Sequence, residues 1–237
     1  MNPLSGVLDE AWQMYKAHAK HLLAIAFVIY LVAAVIAALL GLAGAVGALL
    51  ALIVEIIAAF LLQATLVKAV QDVRDGRVDL SIGETVSAAT PYIWSVFAAS
   101  FLAAIAIAIG LALLIVPGLY LMTIWAVIVP VIVLEGTGVF GAFGRSYRLV
   151  RGHGWHVFLT LVLLFVILLV AQLVLGLIFA ALPYVWRSGL SSIISGTLIA
   201  PFVALVVTLV YYRLAGGSHV PAPPGGGEAY GEYRQAP

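Results

Sequence analysis

The chain has 237 residues, of which 65% are hydrophobic and only 9% are charged, and its formal net charge is +1. Because a soluble domain carries roughly 25% charged residues, this composition excludes a surface that faces water throughout and predicts a membrane protein. The chain contains no cysteine, which excludes disulfides, thiol nucleophiles and thiolate metal sites.

Residues 1–21 are predicted to form a short helix on the membrane surface. Val7, Ala11 and Tyr15 recur at helical spacing, while Lys16 and Lys20 lie on the opposite face. A helix of this kind buries its apolar side among the lipids and keeps its charges at the interface.

Six apolar runs follow, and each is predicted to cross the bilayer, since a helix needs about 20 apolar residues to span the hydrocarbon core. The joints around Gly44, Pro117 and residues 183–189 are short, so the runs pair into three hairpins. Pro130 and Pro201 lie inside the fourth and sixth runs and are expected to kink them, because proline donates no backbone hydrogen bond. The predicted spans are residues 22–42, 46–70, 92–116, 119–134, 155–182 and 190–214.

Short helices are also predicted ahead of the second and third hairpins. Ser81 and Glu84 fit a capping box that opens a helix ending near Pro91. Residues 139–151 have apolar residues at helical spacing with arginines on the other faces. The predicted fold is therefore all-α, with six transmembrane helices in three hairpins, each preceded by an amphipathic surface helix. Weak internal matches favour three repeated units, 4–70, 81–135 and 139–214.

The distribution of lysine and arginine predicts the orientation of this membrane domain, residues 1–214. Of the lysines and arginines, only Arg187 is predicted to lie on the side of the membrane where the three hairpin joints lie. Under the positive-inside rule both termini are cytoplasmic. Residues 215–237 are rich in glycine and proline and are predicted to be a disordered cytoplasmic tail. The basic residues on the cytoplasmic side are Lys16, Lys20, Lys68, Arg74, Arg77, Arg145, Arg148, Arg151 and Arg213.

One stretch resembles a known family. Trp125, Pro130 and Glu135 are followed by RSYRLVRG at residues 145–152 and by WHVF at 155–158. This pattern resembles the membrane domain of the glycerophosphoryl diester phosphodiesterase family, which uncharacterised multi-pass prokaryotic membrane proteins share. The sequence departs from the pattern at Arg213, where the resemblance leads us to expect an acidic residue after two tyrosines.

The resemblance implies a six-helix module of the prokaryotic plasma (inner) membrane. The catalytic part of that family is a separate soluble barrel, and no segment of this sequence could form it. The resemblance therefore implies no phosphodiesterase activity here.

Glu55 lies well inside the second apolar run and is the main candidate for an intramembrane site. A charge at this depth costs about 2.5–3.5 kcal/mol on insertion scales, so something must offset it. One interpretation is a site that relays protons or cations, or a polar anchor in a lipid-lined cavity. The other is a neutral Glu55 that is hydrogen-bonded across helices to a tyrosine or to Gln172, Thr160 or Thr123.

Charged residues at the predicted cytoplasmic face suggest two further roles. Glu135 precedes Arg145 and Arg148 across a short turn, so a structural salt bridge is expected there, with a gate or headgroup clamp as the alternative. Arg145, Arg148, Arg151, Lys16 and Lys20 are candidate contacts for anionic lipid headgroups, each worth on the order of 1 kcal/mol.

Other chemistry is not predicted. His18 and His21, and likewise His153 and His156, are spaced for metal binding, but neither pair has a third ligand nearby in sequence, so no metal site is expected. No cofactor site, nucleophile motif or phosphate loop is visible. The basic residues are too sparse for nucleic-acid binding.

Two functional hypotheses follow. The first is a non-enzymatic integral membrane module that organises lipid or a partner membrane protein. The second is a transporter or lipid-translocating protein with a polar site at Glu55. A filled bundle with Glu55 hydrogen-bonded to a neighbouring helix favours the first, and a cavity lined by Glu55 favours the second.

Overall fold

The computed structural model describes residues 4–74, 80–180 and 184–216, with residues 184–192 described by their backbone alone. The described residues form α-helices and one 3₁₀ turn, Thr90–Tyr92, with no strand, which confirms the all-α class. Most of the predicted tail, residues 217–237, and Arg77 lie outside the described residues. The helices are α1 Val7–Ala17, α2 Ala19–Gly41, α3 Gly44–Arg74, α4 Ile82–Ala89, α5 Ile93–Leu113, α6 Ile115–Ile124, α7 Ile128–Glu135, α8 Val139–Val150, α9 Gly154–Ala180 and α10 Tyr184–Leu214.

Six helical stretches among these residues are long and apolar enough to cross a membrane, as the sequence predicts. The spans are α2, α3, the stretch from α4 through α5, the stretch from α6 through α7, α9, and α10 from Ile193 onward. Large apolar side chains such as Leu169, Leu173 and Leu177 of α9 are exposed. They suit a lipid environment and would be costly in water. The protein is therefore an integral, multi-pass membrane protein.

The last helix occupies the centre of the bundle. α10 packs against α1, α2, α3, α7, α8 and α9. Its residues Leu205, Leu209 and Tyr211 are almost completely buried, together with Val70 of α3 and Ile132 of α7. This tightly packed core lies in the half of the bundle toward the C-terminal end of α10. Because lipid supplies no hydrophobic drive between helices, such close packing is a main source of their association.

The short helix α4 begins with the capping box that the sequence predicts. The Ser81 side chain accepts a hydrogen bond from the Glu84 backbone N–H, and the Glu84 carboxylate accepts one from the Ser81 N–H at 2.8 Å. Two N–H groups that have no partner inside the helix are therefore satisfied. Short helices also occur at the other two predicted positions, as α1 and α8.

The fourth span is broken at residues 125–127, between α6 and α7. The break lies ahead of Pro130, which has no N–H to donate to the Ala126 carbonyl. The Ile128 N–H bonds the Trp125 carbonyl in a tight turn, which leaves the Ile124 carbonyl without its usual helical partner. By contrast, α10 continues as a helix through Pro201.

Helix α8 packs over this break and donates a hydrogen bond to its free carbonyl group. The fully buried Ser146 donates a hydrogen bond from Oγ to the Ile124 carbonyl oxygen at 2.8 Å. The rings of Phe143 and Trp125 pack edge to face with their centroids 4.9 Å apart. A buried carbonyl at membrane depth must be satisfied by protein, since the hydrocarbon holds no water. These contacts therefore stabilise the broken form of the span.

We predict that Ser146→Ala lowers the free energy of unfolding by about 1–3 kcal/mol, because it leaves the buried Ile124 carbonyl without a donor. The measurement is reversible unfolding in mixed detergent micelles. The matched control is Ser87→Ala, at an exposed position of α4, which we expect to change stability by no more than about 0.5 kcal/mol. Equal effects of the two variants would contradict the role given to Ser146.

Candidate functional site

Two cavities follow one another along α3, on the side that faces α2 and α10. The Glu55 cavity has a volume of about 800 Å³ and lies between α2, α3 and α10. Its described lining residues are Ile29, Tyr30, Ala33, Ala34, Ala37, Ala38, Gly41, Ala48, Ala51, Leu52, Glu55, Ala58, Ala59 and Ile193.

The smaller Gln63 cavity has a volume of about 360 Å³ and also reaches the broken fourth span. Tyr30 and Ala59 line both cavities, so the two together form one groove. The described lining residues of the Gln63 cavity are Tyr30, Ala59, Leu62, Gln63, Leu66, Val67, Ala126, Val129, Pro130, Ala200, Val203, Ala204 and Val207.

The helical repeat of α3 explains why two polar side chains enter the groove. Glu55, Ala59 and Gln63 are spaced four residues apart and therefore lie on one face of the helix. From Gly44 to Glu55 the helix rises about 16 Å, which is half the thickness of a hydrocarbon core of about 30 Å. Glu55 thus lies near the middle of the membrane.

Of the partners proposed for Glu55 from the sequence, Thr123, Thr160 and Gln172 are not among the described lining residues of its cavity, whereas a tyrosine, Tyr30, is. Thr123 donates its hydroxyl to the Leu119 carbonyl at 2.8 Å, and Thr160 donates to the His156 carbonyl at 2.9 Å. Each hydroxyl is therefore satisfied within its own helix, as is common for threonine in apolar helices. Gln172 is exposed on α9 and is not part of the Glu55 cavity.

Glu55 itself is exposed to the cavity. Within the described part of the chain, no hydrogen bond or ion pair reaches its carboxyl group. The polar side chains that share the groove are Tyr30, a residue of the type expected from the sequence although its position was not, and Gln63, which we did not single out. The spacing of Glu55 and Gln63 by two helical turns was the signal that could have identified Gln63.

The Tyr30 ring lies against Gly196 of α10 at the junction of the two cavities. A Cβ atom at Gly196 would lie only 2.5 Å from the Tyr30 Cζ atom, so a larger residue would displace the ring. The absence of a side chain at Gly196 therefore allows the Tyr30 ring to lie directly against the backbone of α10, where small residues permit such close contacts.

A polar cluster, the Glu135 cluster, lies at the far end of the bundle. The Arg145 Nε atom donates to both Glu135 carboxylate oxygens at 3.0 Å, and the Tyr211 hydroxyl donates to Oε1 at 2.9 Å. The Glu135 side chain is only 11% exposed. Arg148 is exposed and lies outside this ion pair. The cluster joins α7, α8 and α10.

The two residues after Tyr211 bind two other helices. The Arg74 guanidinium lies over the Tyr212 ring, 3.8 Å from its centroid, in a cation–π contact. Arg213 pairs with Glu10 of α1 and donates to the Ser5 carbonyl at 2.9 Å. The arginine that departs from the resemblance thus holds the first helix against the last.

The remaining candidates for lipid headgroup contact are exposed: Lys16, Lys20, Arg148 and Arg151. Arg145 is occupied by Glu135. Among the described residues, no group of three or more His, Asp or Glu side chains could hold a metal ion. The side chain of Arg187 lies outside the described residues.

A family model described as "Domain of unknown function (DUF7847)" matches residues 76–215. No curated protein matches the chain, and no solved structure matches it.

We predict that Tyr211→Phe lowers the free energy of unfolding by about 1.5 kcal/mol, because Glu135 loses a buried donor while its charge stays in place. Thermal unfolding in detergent micelles provides the measurement. Tyr120→Phe removes the same hydroxyl from an exposed tyrosine of α6 and serves as the control. A loss that persists unchanged in a Glu135→Leu background, where position 135 offers no acceptor, would show that the hydrogen bond is not its cause.

Proposed function

The chain belongs to the family described as "Domain of unknown function (DUF7847)", and on that premise we propose that it binds a lipid or lipid-like molecule within the membrane, in the groove formed by the Glu55 and Gln63 cavities. The Glu55 cavity carries the proposal. It lies among transmembrane helices, where the surrounding molecules are lipids. Its volume of about 800 Å³ is that of a typical ligand pocket.

The dimensions of the groove support an elongated apolar ligand. Its lining on α3 extends from Ala48 to Val67, a rise of about 28 Å, close to the thickness of the hydrocarbon core. Apart from Glu55, Gln63 and Tyr30, the described lining is apolar and mostly small. Alanines on both α2 and α3 leave room for a chain that larger residues would exclude.

Exposed basic residues support a second contact with lipid. Lys16, Lys20, Arg148 and Arg151 are all exposed: Lys16 and Lys20 lie where α1 ends and α2 begins, and Arg148 and Arg151 lie at the end of α8. Anionic headgroups would be attracted to them. We retain the expectation that the protein is a non-enzymatic module that acts on lipid or on a partner membrane protein.

Transport of the bound molecule is the second candidate function. The cavity lined by Glu55 favours it, as stated above for the second hypothesis. The broken fourth span favours it too, because Ala126 at the break and Pro130 just after it both line the Gln63 cavity. Discontinuous helices commonly form the binding sites of transporters, since their interrupted backbone can rearrange. The resemblance to the membrane domain of the phosphodiesterase family stays a prediction and is compatible with either function.

We predict that Ala38→Leu combined with Ala51→Leu lowers the amount of copurified lipid by about tenfold, because a steric penalty of only 1.4 kcal/mol suffices for that factor. The measurement is native mass spectrometry after purification in native lipid. Ala104→Leu, at an exposed position of α5 outside both cavities, is the matched control. Equal lipid retention in the double variant and the control would overturn the proposed function.

For the orientation, we propose cytoplasmic termini in a prokaryotic inner membrane. Because the chain has no cysteine, single cysteines can report topology. We expect a membrane-impermeant maleimide to label Ala43→Cys, Val116→Cys and Ser188→Cys in intact cells, and to leave Ala215→Cys unlabelled until the cells are opened. Labelling of Ala215→Cys in intact cells would contradict this orientation.

A further inference from the structure

We infer that the Glu55 cavity binds a hydrophobic organic cation, with the Glu55 carboxylate as its counter-ion and the Tyr30 ring beside it. This inference rests on the proposed function and names the chemical class of its ligand. The ligand would carry one positive charge, such as an ammonium or phosphonium group, on a bulky apolar body.

The first argument is the isolation of the Glu55 carboxylate. It lies near the middle of the membrane, and the described residues supply it with neither an ion pair nor a hydrogen bond. The next basic residue along α3 is Lys68, about 20 Å further along the helix axis. A carboxylate in such surroundings gains most from a positive charge that a ligand brings with it.

The second argument is the shape and lining of the cavity. Alanines on α2 and α3 leave a space of about 800 Å³ around a single carboxyl group. An apolar body can fill that space while its charge lies against Glu55. Tyr30 lines the same cavity, and the face of a tyrosine ring attracts organic cations. The ring lies against the backbone of α10 at Gly196.

The third argument separates an organic cation from a metal ion or a sodium-like ion. A hard inorganic cation needs several oxygen ligands to replace its hydration shell. The described lining offers the carboxyl group of Glu55 and the hydroxyl of Tyr30, and no metal-binding group of three acidic or histidine side chains occurs in the described residues. An organic cation with a dispersed charge loses far less hydration and needs only one counter-ion.

The test measures binding of two aryl-phosphorus probes, one cationic and one neutral, to the full chain in detergent micelles. Tetraphenylphosphonium carries the charge, and triphenylphosphine oxide is its neutral counterpart. Equilibrium dialysis against empty micelles corrects for partitioning. We expect the wild-type protein to bind the cation at least about tenfold more tightly than the neutral probe, and Glu55→Gln to reduce this preference to about one, a change equivalent to 1.4 kcal/mol.

The control is Glu84→Gln, which removes the same charge outside the cavity and keeps a side chain suited to the capping box. It should bind both probes as the wild type does. Retention of the cation preference by Glu55→Gln would overturn the inference. Should that variant not fold, the wild type decides alone, because equal binding of the two probes overturns the inference as well.

The two proposals fail differently. If both probes bind equally and Ala38→Leu with Ala51→Leu weakens both, the groove binds apolar molecules without regard to charge, and only the cation inference is wrong. If the double variant binds both probes as tightly as Ala104→Leu does, the groove is not the binding site, and the proposed function is wrong together with the inference.

Discussion

The C-terminal end of α10 holds the bundle together, because three consecutive side chains bind three different parts of the chain. Tyr211 donates to Glu135 in the cluster that joins α7 and α8, Tyr212 lies beneath Arg74 of α3, and Arg213 pairs with α1. When apolar helices pack together in lipid, the hydrophobic effect does not favour one face of a helix over another. Directional contacts of this kind therefore fix the rotation and depth of each helix relative to the central one.

The position of this junction divides the bundle into a closed half and an open half. The closely packed core lies near Tyr211, whereas the opposite ends of α2 and α3 have exposed residues such as Leu42, which is 85% exposed, and Val46, which is 70% exposed. Glu55 lies in the open half, whereas the Gln63 cavity reaches Leu66 and Val67 of the packed core.

Hydroxyl groups on two of the short helices donate hydrogen bonds to backbone carbonyls that precede Pro130 and Pro201. Ser146 of α8 donates to Ile124 at the break ahead of Pro130, and Tyr15 of α1 donates to the Leu198 carbonyl at 3.0 Å, just before Pro201. Burial raises the pKa of Tyr15, so its hydroxyl stays a donor across the neutral range. The bond to Ile124 thus stabilises irregular backbone that lipid alone could not accommodate, whereas the bond to Leu198 joins α1 to a helix that continues through Pro201.

The sequence by itself determined the membrane class, the six spans, the capping box and the unusual position of Glu55, because each follows from local hydropathy and spacing along one helix. It did not determine which side chains meet. Only the tertiary structure brought Tyr30 and Gln63 into the groove with Glu55, left Thr123 and Thr160 bonded within their own helices, and directed Tyr211 to Glu135. The reason is that nearly every face of these helices is apolar, so hydropathy gives no preferred rotation. Rotation is decided instead by close contacts such as Tyr30 against Gly196, and these involve residues far apart in the chain.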